Sequence, residues 1–254
     1  MAHLDYTISG PADGPPLVLG SSLGTTRVMW DPQVAALAQR HRVVVFDHRG
    51  HGGSDVPAGP YAIDDLGRDV LEMLDRLGIA RFSYAGLSLG GMVGMCLAAT
   101  APDRIERLAL LCTSAHLGPA EAWHERARLV RENGLTRVAD TVIARWFAPS
   151  FVAAAPDVVA RYRAMLLSAP PEGYAACCEA IASMDLRDAL AAVTAPTLVI
   201  AGELDEVTTV SHATDIVERV SGARLSVVPA AAHLANVEQP TAVTQLLIEH
   251  FGGD

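Results

Sequence analysis

The stretch "FSYAGLSLGGMVGMCLAA", residues 82–99, most narrows what this chain can fold into. An apolar run ends at Gly86-Leu87-Ser88-Leu89-Gly90-Gly91, and an apolar helical run follows at once. A strand that passes into a helix over so few residues must turn very sharply at Ser88. Side chains two positions either side would then collide, and Gly86 and Gly90 remove them. The pattern G-x-S-x-G in a strand–turn–helix setting is a nucleophile elbow. It lifts the serine oxygen above the sheet and points the Leu89 N–H, at the helix start, toward developing negative charge.

The rest of the chain reads as the sheet such an elbow needs. Short strand-like runs recur at residues 43–46, 82–86, 108–112, 197–201 and 224–228, and "LVLG" at 17–20 reads as another buried strand. Most are separated by stretches of helical period. Ile63, Leu66, Val70, Leu74 and Leu77 form one apolar stripe, and Gly78 follows as a stop signal. Strands alternating with helices imply a mostly parallel sheet with helices on both faces. Ligands in such sheets bind beyond the carboxyl ends of the strands. The alternation breaks at residues 116–190, which read as helical throughout: 120–133 closed by Gly134, 136–147 ending near Pro149, then two further segments. The expected organisation is a core of residues 1–115 and 191–254 carrying a helical cap of residues 116–190.

A serine hydroxyl is a poor nucleophile until a base takes its proton. Of nine histidines, His48 and His51 in "FDHRGHGGSD" and His233 in "VVPAAAHLANVEQP" follow strands. With this elbow the order along the chain is Ser, acid, His, and only His233 follows Ser88 from a post-strand loop. His48 and His51 then shape a glycine-rich loop. The acid belongs between Ser88 and His233, just past a strand. "TLVIAGELDEV" offers Glu203, Asp205 and Glu206. The Gly202-x-x-Asp205 spacing lets the chain turn and send one carboxylate back to the imidazole, so Asp205 is chosen to hold the tautomer and stabilise the imidazolium. Asp47 precedes the elbow, and a turn-forming role suits it. The second oxyanion donor comes from the loop after the neighbouring strand, "GSSLGTTRVMWDP", where Leu23 N–H is the candidate.

Composition excludes several functions. The formal net charge is −10, which argues against nucleic acid or an anionic membrane as partner. No apolar run approaches the ~18–20 residues of a membrane helix, and "MAHLDYTISG" lacks the basic-then-apolar pattern of a signal peptide. A cytoplasmic location is expected. Cys96, Cys112, Cys177 and Cys178 have no C-x-x-C spacing and read as small buried side chains. No metal or organic cofactor is called for, and a homo-oligomer is compatible with the sequence. Every basic residue apart from histidine is Arg.

Together the elbow, "DHRGHGGSD", "GELDEVT" and "GARLSVVPAAAHLANVEQP" resemble the α/β-hydrolase superfamily along nearly the whole chain. "SSLGTTRVMWDPQ", "LLCTSAHLGPAEAW" and "CCEAIASMDLRDAL" are similar to the 3-oxoadipate enol-lactonases in particular. Most superfamily members carry His-Gly where Ser21-Ser22 stand, whereas enol-lactonases commonly carry a small polar pair. The resemblance implies hydrolysis of 3-oxoadipate enol-lactone in aromatic-acid breakdown, with Ser22 at the substrate. A general carboxylesterase or perhydrolase of the cofactor-free haloperoxidase type would use the same triad, and a C–C bond hydrolase is a more distant alternative.

An anionic lactone needs a cationic contact in an acidic protein. Residues 116–190 hold eight arginines against nine acids, a net −1, while the remainder carries −9. The insertion is therefore where a carboxylate anchor is expected, since Arg binds carboxylates bidentately. "VIARWFAP" supplies the first choice, with Arg145 as anchor and Trp146 as pocket wall; Arg126 and Arg128 are the alternatives. Trp123 is a second candidate wall, and Trp30 a third.

Overall fold

The computed structural model describes residues 2–252. In chain order its strands are β1 (Tyr6–Ser9), β2 (Pro16–Gly20), β3 (Arg42–Phe46), β4 (Phe82–Leu87), β5 (Ile105–Leu111), β6 (Thr197–Gly202) and β7 (Arg224–Val228). They form one sheet in the order β1-β3-β2-β4-β5-β6-β7. All neighbours are parallel except β1, which runs antiparallel to β3. β4 and β6 are buried at every position, as strands covered on both faces must be. At the edge, β7 exposes Leu225 and Val227. The four residues of β1 were not anticipated, because "YTIS" carries too short a pattern; pairing of Tyr6 with Phe46 and Ser9 with Val43 holds it.

Helices α1 (Asp31–Leu37), α2 (Ile63–Arg76) and α3 (Leu89–Thr100) alternate with these strands. α2 buries Ile63, Leu66, Val70 and Leu74 as its periodicity predicts. Asp65 Oδ2 accepts the Ala62 N–H at 2.9 Å and closes its first turn, and Gly78, at φ 68°, ends it. α3 is apolar on every side and buried almost throughout, packed against α2, β2, β4 and β5. That placement seats the elbow at the centre of the sheet.

Between β5 and β6 lie α4 (Ala120–Asn133), α5 (Thr136–Trp146), α6 (Pro149–Ala154), α7 (Pro156–Ser168) and α8 (Pro171–Ser183). Three helices follow α5, where two were expected. Each begins with a proline, whose missing N–H is harmless in a first helical turn; Pro149 thus starts α6 as well as following α5. The segments that enter and leave this insertion lie together: His116 bridges Asp185, and the Leu186 N–H donates to Ala115 O at 2.8 Å. After β6 come α9 (Val210–Arg219), α10 (Ala235–Glu238) and α11 (Pro240–Phe251). All four cysteines are free and buried. No helix among the described residues is long and apolar enough to cross a membrane.

Candidate active site

Ser88 joins β4 to α3 at φ 56° and ψ −114°, a conformation a non-glycine residue holds only when its surroundings impose it. Its N–H donates to Leu111 O at 2.9 Å, and its carbonyl accepts the Thr113 hydroxyl at 2.8 Å. A Cβ on Gly86 would overlap the Gly90 carbonyl, and one on Gly90 would overlap the Gly20 carbonyl. The second glycine is therefore needed as much for the loop after β2 as for the turn. Through it, the Gly90 N–H reaches Ser21 O at 3.0 Å.

That loop is held by an ordered set of donors. Ser22 N–H donates to Met29 Sδ at 3.2 Å, and Gly24 N–H to His51 Nε2 at 2.9 Å. His48 Nε2–H donates to Ser21 O at 3.1 Å. Burial pushes His48 down to about 3 and also lowers His51, so both stay neutral. With these neighbours committed, Leu23 N–H has no acceptor among the described residues, and neither has Leu89 N–H in the first turn of α3. His48 and His51 shape the loop, and Asp47 accepts Arg27 N–H at 2.6 Å and the Arg27 guanidinium at 2.5 Å.

His233 lies between β7 and α10, and Asp205 lies just past β6. His233 Nδ1 and Asp205 Oδ2 are 2.8 Å apart, with the two residues 3% and 4% exposed. The other carboxylate oxygen accepts Val207 N–H at 2.8 Å and Thr208 N–H at 3.0 Å. Thr208 Oγ1 adds a bond to Oδ2 at 2.7 Å. Burial alone would raise the Asp205 carboxyl; the His233 charge and these donors outweigh it and hold it below the ordinary value. A carboxylate acceptor at Nδ1 keeps the proton there and leaves Nε2 as the acceptor nitrogen. Thr208 was missed from sequence, although its place three residues after Asp205 in "GELDEVT" is the spacing of a side chain folding back on a turn. Glu203 instead accepts Ala230 N–H, at 3.0 Å, and Glu206 is exposed.

Ser88 and His233 line one cavity, together with Ser22, Leu23, Trp123, Arg126, Arg145 and Trp146. Met92, Leu117, Val142, Tyr174, Ile181 and Val207 complete its wall. Trp30 is wholly buried elsewhere. Arg128 is also absent from the cavity: it pairs with Glu125 and Glu132, both at 2.7 Å. Arg126 and Arg145 have no carboxylate partner among the described residues. Arg126 is half-buried with its guanidinium 4.7 Å from the Trp123 ring centroid, and Arg145 is exposed at the rim. No cluster of His, Cys, Asp and Glu suited to a metal occurs among the described residues.

The chain matches the alpha/beta hydrolase fold family over residues 15–240 and belongs to that family. It is 44% identical to 3-oxoadipate enol-lactonase 2 of Acinetobacter baylyi, over 94% of this chain and 89% of that protein. The crystal structure of the enol-lactonase from Burkholderia xenovorans LB400 superposes with a TM-score of 0.96 at 41% identity, covering 98% of this chain and 96% of that one. A protein of Stutzerimonas stutzeri carrying the name carbamate hydrolase RutD is 30% identical over 94% of this chain and 92% of its own. The chain is thus an ester-hydrolysing enzyme of the α/β-hydrolase type, as its motifs led us to expect.

Proposed function

We propose that this enzyme hydrolyses the enol-lactone of 3-oxoadipate to 3-oxoadipate. The observation that carries this reading is the cavity itself, where Ser88 and His233 share walls with two arginines that no carboxylate neutralises. A neutral ester has no use for two unpaired cations, while a lactone bearing a carboxylate does. Resemblance to enol-lactonases over nearly the whole chain adds the particular lactone. Residues 116–190 then act as the cap over the site.

In this mechanism His233 Nε2 takes the Ser88 proton as the oxygen attacks the lactone carbonyl. The oxyanion is held by the Leu23 and Leu89 N–H groups, and Asp205 stabilises the imidazolium. Collapse breaks the ring C–O bond and expels an enolate, a better leaving group than an alkoxide. His233 returns the proton, and tautomerisation to the ketone prevents re-closure while the acyl group remains on Ser88. Water activated by His233 then releases the acid. Ser22 borders the reacting carbonyl, Trp123 and Trp146 wall the ring, and Arg145 with Arg126 holds the carboxylate.

Following the loss of enol-lactone absorbance with wild type and Ser88→Ala tests the reading. Wild type should turn the lactone over, and Ser88→Ala should fall by several orders of magnitude. A wild type that hydrolyses short neutral esters or a carbamate as fast as the lactone would overturn the substrate assignment. Quenched single-turnover mixtures should contain acylated Ser88; if they never do, His233 activates water directly.

A further inference from the structure

Glu238 is a buried carboxylate for which the mechanism above has no use. It ends α10 and is 6% exposed. No Arg or His lies within ion-pair distance of it among the described residues. Its two oxygens are instead divided between two parts of the molecule. Oε1 accepts the Ala232 N–H at 2.7 Å, next to His233, and Oε2 accepts the Ala148 N–H at 3.0 Å, two residues past Trp146. A third bond closes the arrangement: Leu234 N–H donates to Trp146 O at 3.0 Å. His233 is therefore held on both sides, through Ala232 by Glu238 and through Leu234 by the end of α5.

Burying a carboxylate without a cation is costly. Burial pushes this one above its ordinary value against the pull of its two N–H donors, and the Asp205 charge adds to the rise. An apolar residue of like volume would avoid that cost only by leaving the buried Ala232 and Ala148 N–H groups unpaired. What a carboxylate offers is two acceptor oxygens on one rigid group, with no donor to oppose either N–H. A glutamine would turn its NH₂ toward one of them.

We propose that Glu238 is a positioning residue, which sets the His233 loop and locks the α5 end, bearing Arg145 and Trp146, to it. This rests on the reading that Ser88 and His233 do the chemistry and that Arg145 and Trp146 meet the substrate. The carboxylate anchor and the proton acceptor would then keep one spacing, matched to the two ends of one small anion.

The test is Glu238→Gln, with active sites counted by a serine-directed phosphonate so that rates refer to folded enzyme. Loss of one bond should lower kcat per titrated site roughly 10- to 100-fold, the scale of a displacement near 1 Å. KM should rise for the anionic lactone but not for a short neutral ester, because only the former uses Arg145. Glu238→Asp, which keeps both acceptors, should recover part of kcat. Unchanged kcat and KM per site, with only a lower Tm, would make Glu238 merely structural and overturn the proposal. If Glu238→Gln fails to fold, hydrogen exchange in the wild type decides. The Ala148 and Ala232 amides should exchange as slowly as those of β6, and exchange at loop rates overturns the clamp. Ser88→Ala judges the underlying reading separately: activity retained there removes the chemistry itself, whereas a silent Glu238→Gln removes only the clamp.

Discussion

Asp205 collects a histidine, a threonine hydroxyl and two backbone N–H groups on one buried carboxylate. Replacing it with Asn keeps the shape but offers the Nδ1 side an amide that can impose the wrong tautomer. Asp205→Asn should therefore lower kcat by about 10⁴-fold, measured on the lactone with active-site titration. As proposed anchors, Arg126 and Arg145 are not equivalent. Arg126 is ordered by Trp123 and half-buried, so its charge is screened less than that of Arg145 at the rim. Arg126→Ala and Arg145→Ala should each raise KM for the lactone and leave a neutral ester unchanged, with the larger effect from Arg126. Equal losses on both substrates would remove the anchor role. The preference for Arg145 read from "VIARWFAP" could not weigh this, because exposure depends on what packs above a helix.

At the scale of elements, the inserted helices sit on the core through backbone as much as side chains. Gly173, in the first turn of α8, lies against Gly50 in the loop after β3, and a Cβ on either would overlap the other's backbone. Gly173 is helical, so Ala costs nothing in conformation there and the whole effect is steric. Gly173→Ala should destabilise the protein by about 1–3 kcal/mol, the usual cost of overpacking, read as a lower urea midpoint. It should also raise KM, since α8 contributes Tyr174 and Ile181 to the cavity. Charge pairs tie this layer together as well: Arg131 of α4 binds Glu172 and Glu179 of α8, the former at 2.8 Å. These pairs are exposed, and ion pairs of that kind contribute little individually.

For the whole molecule, buried neutral histidines decide the acid side of stability. His48 is lowered to about 3 and His250 to about 4, both by burial. The unfolded chain takes up these protons near 6.5, so it binds more protons than the native state below that pH and stability falls on acidification. At pH 5.5 the two should cost about 1.4 kcal/mol each. Asp205 adds a loss of the same sign only at lower pH, since its contribution is present above 3.8 and disappears as pH falls through its lower native value. Glu238, raised, works the other way. Urea midpoints at pH 7.5 and 5.5 measure the slope, and His48→Gln, which keeps a donor for Ser21 O, should reduce the loss over that interval by about 1.4 kcal/mol, the rest coming from His250 and from His51, which burial also lowers.

The elbow at residues 86–90, the order Ser88, Asp205, His233 and the alternation of strands and helices were all legible in the linear chain. Each is local: a turn needs its glycines, a strand its apolar run, a helix its stripe. Thr208, Glu238 and the choice among Arg126, Arg128 and Arg145 belong to the tertiary structure. Nothing near Glu238 in the chain shows that its oxygens reach Ala148, 90 residues away, or that Arg128 is occupied by its own helix while Arg126 is not. Hydrogen-bond partners and exposure are properties of what folds against a residue. Local patterns in the chain name the candidate groups, whereas packing selects which of them share the cavity and what holds them there.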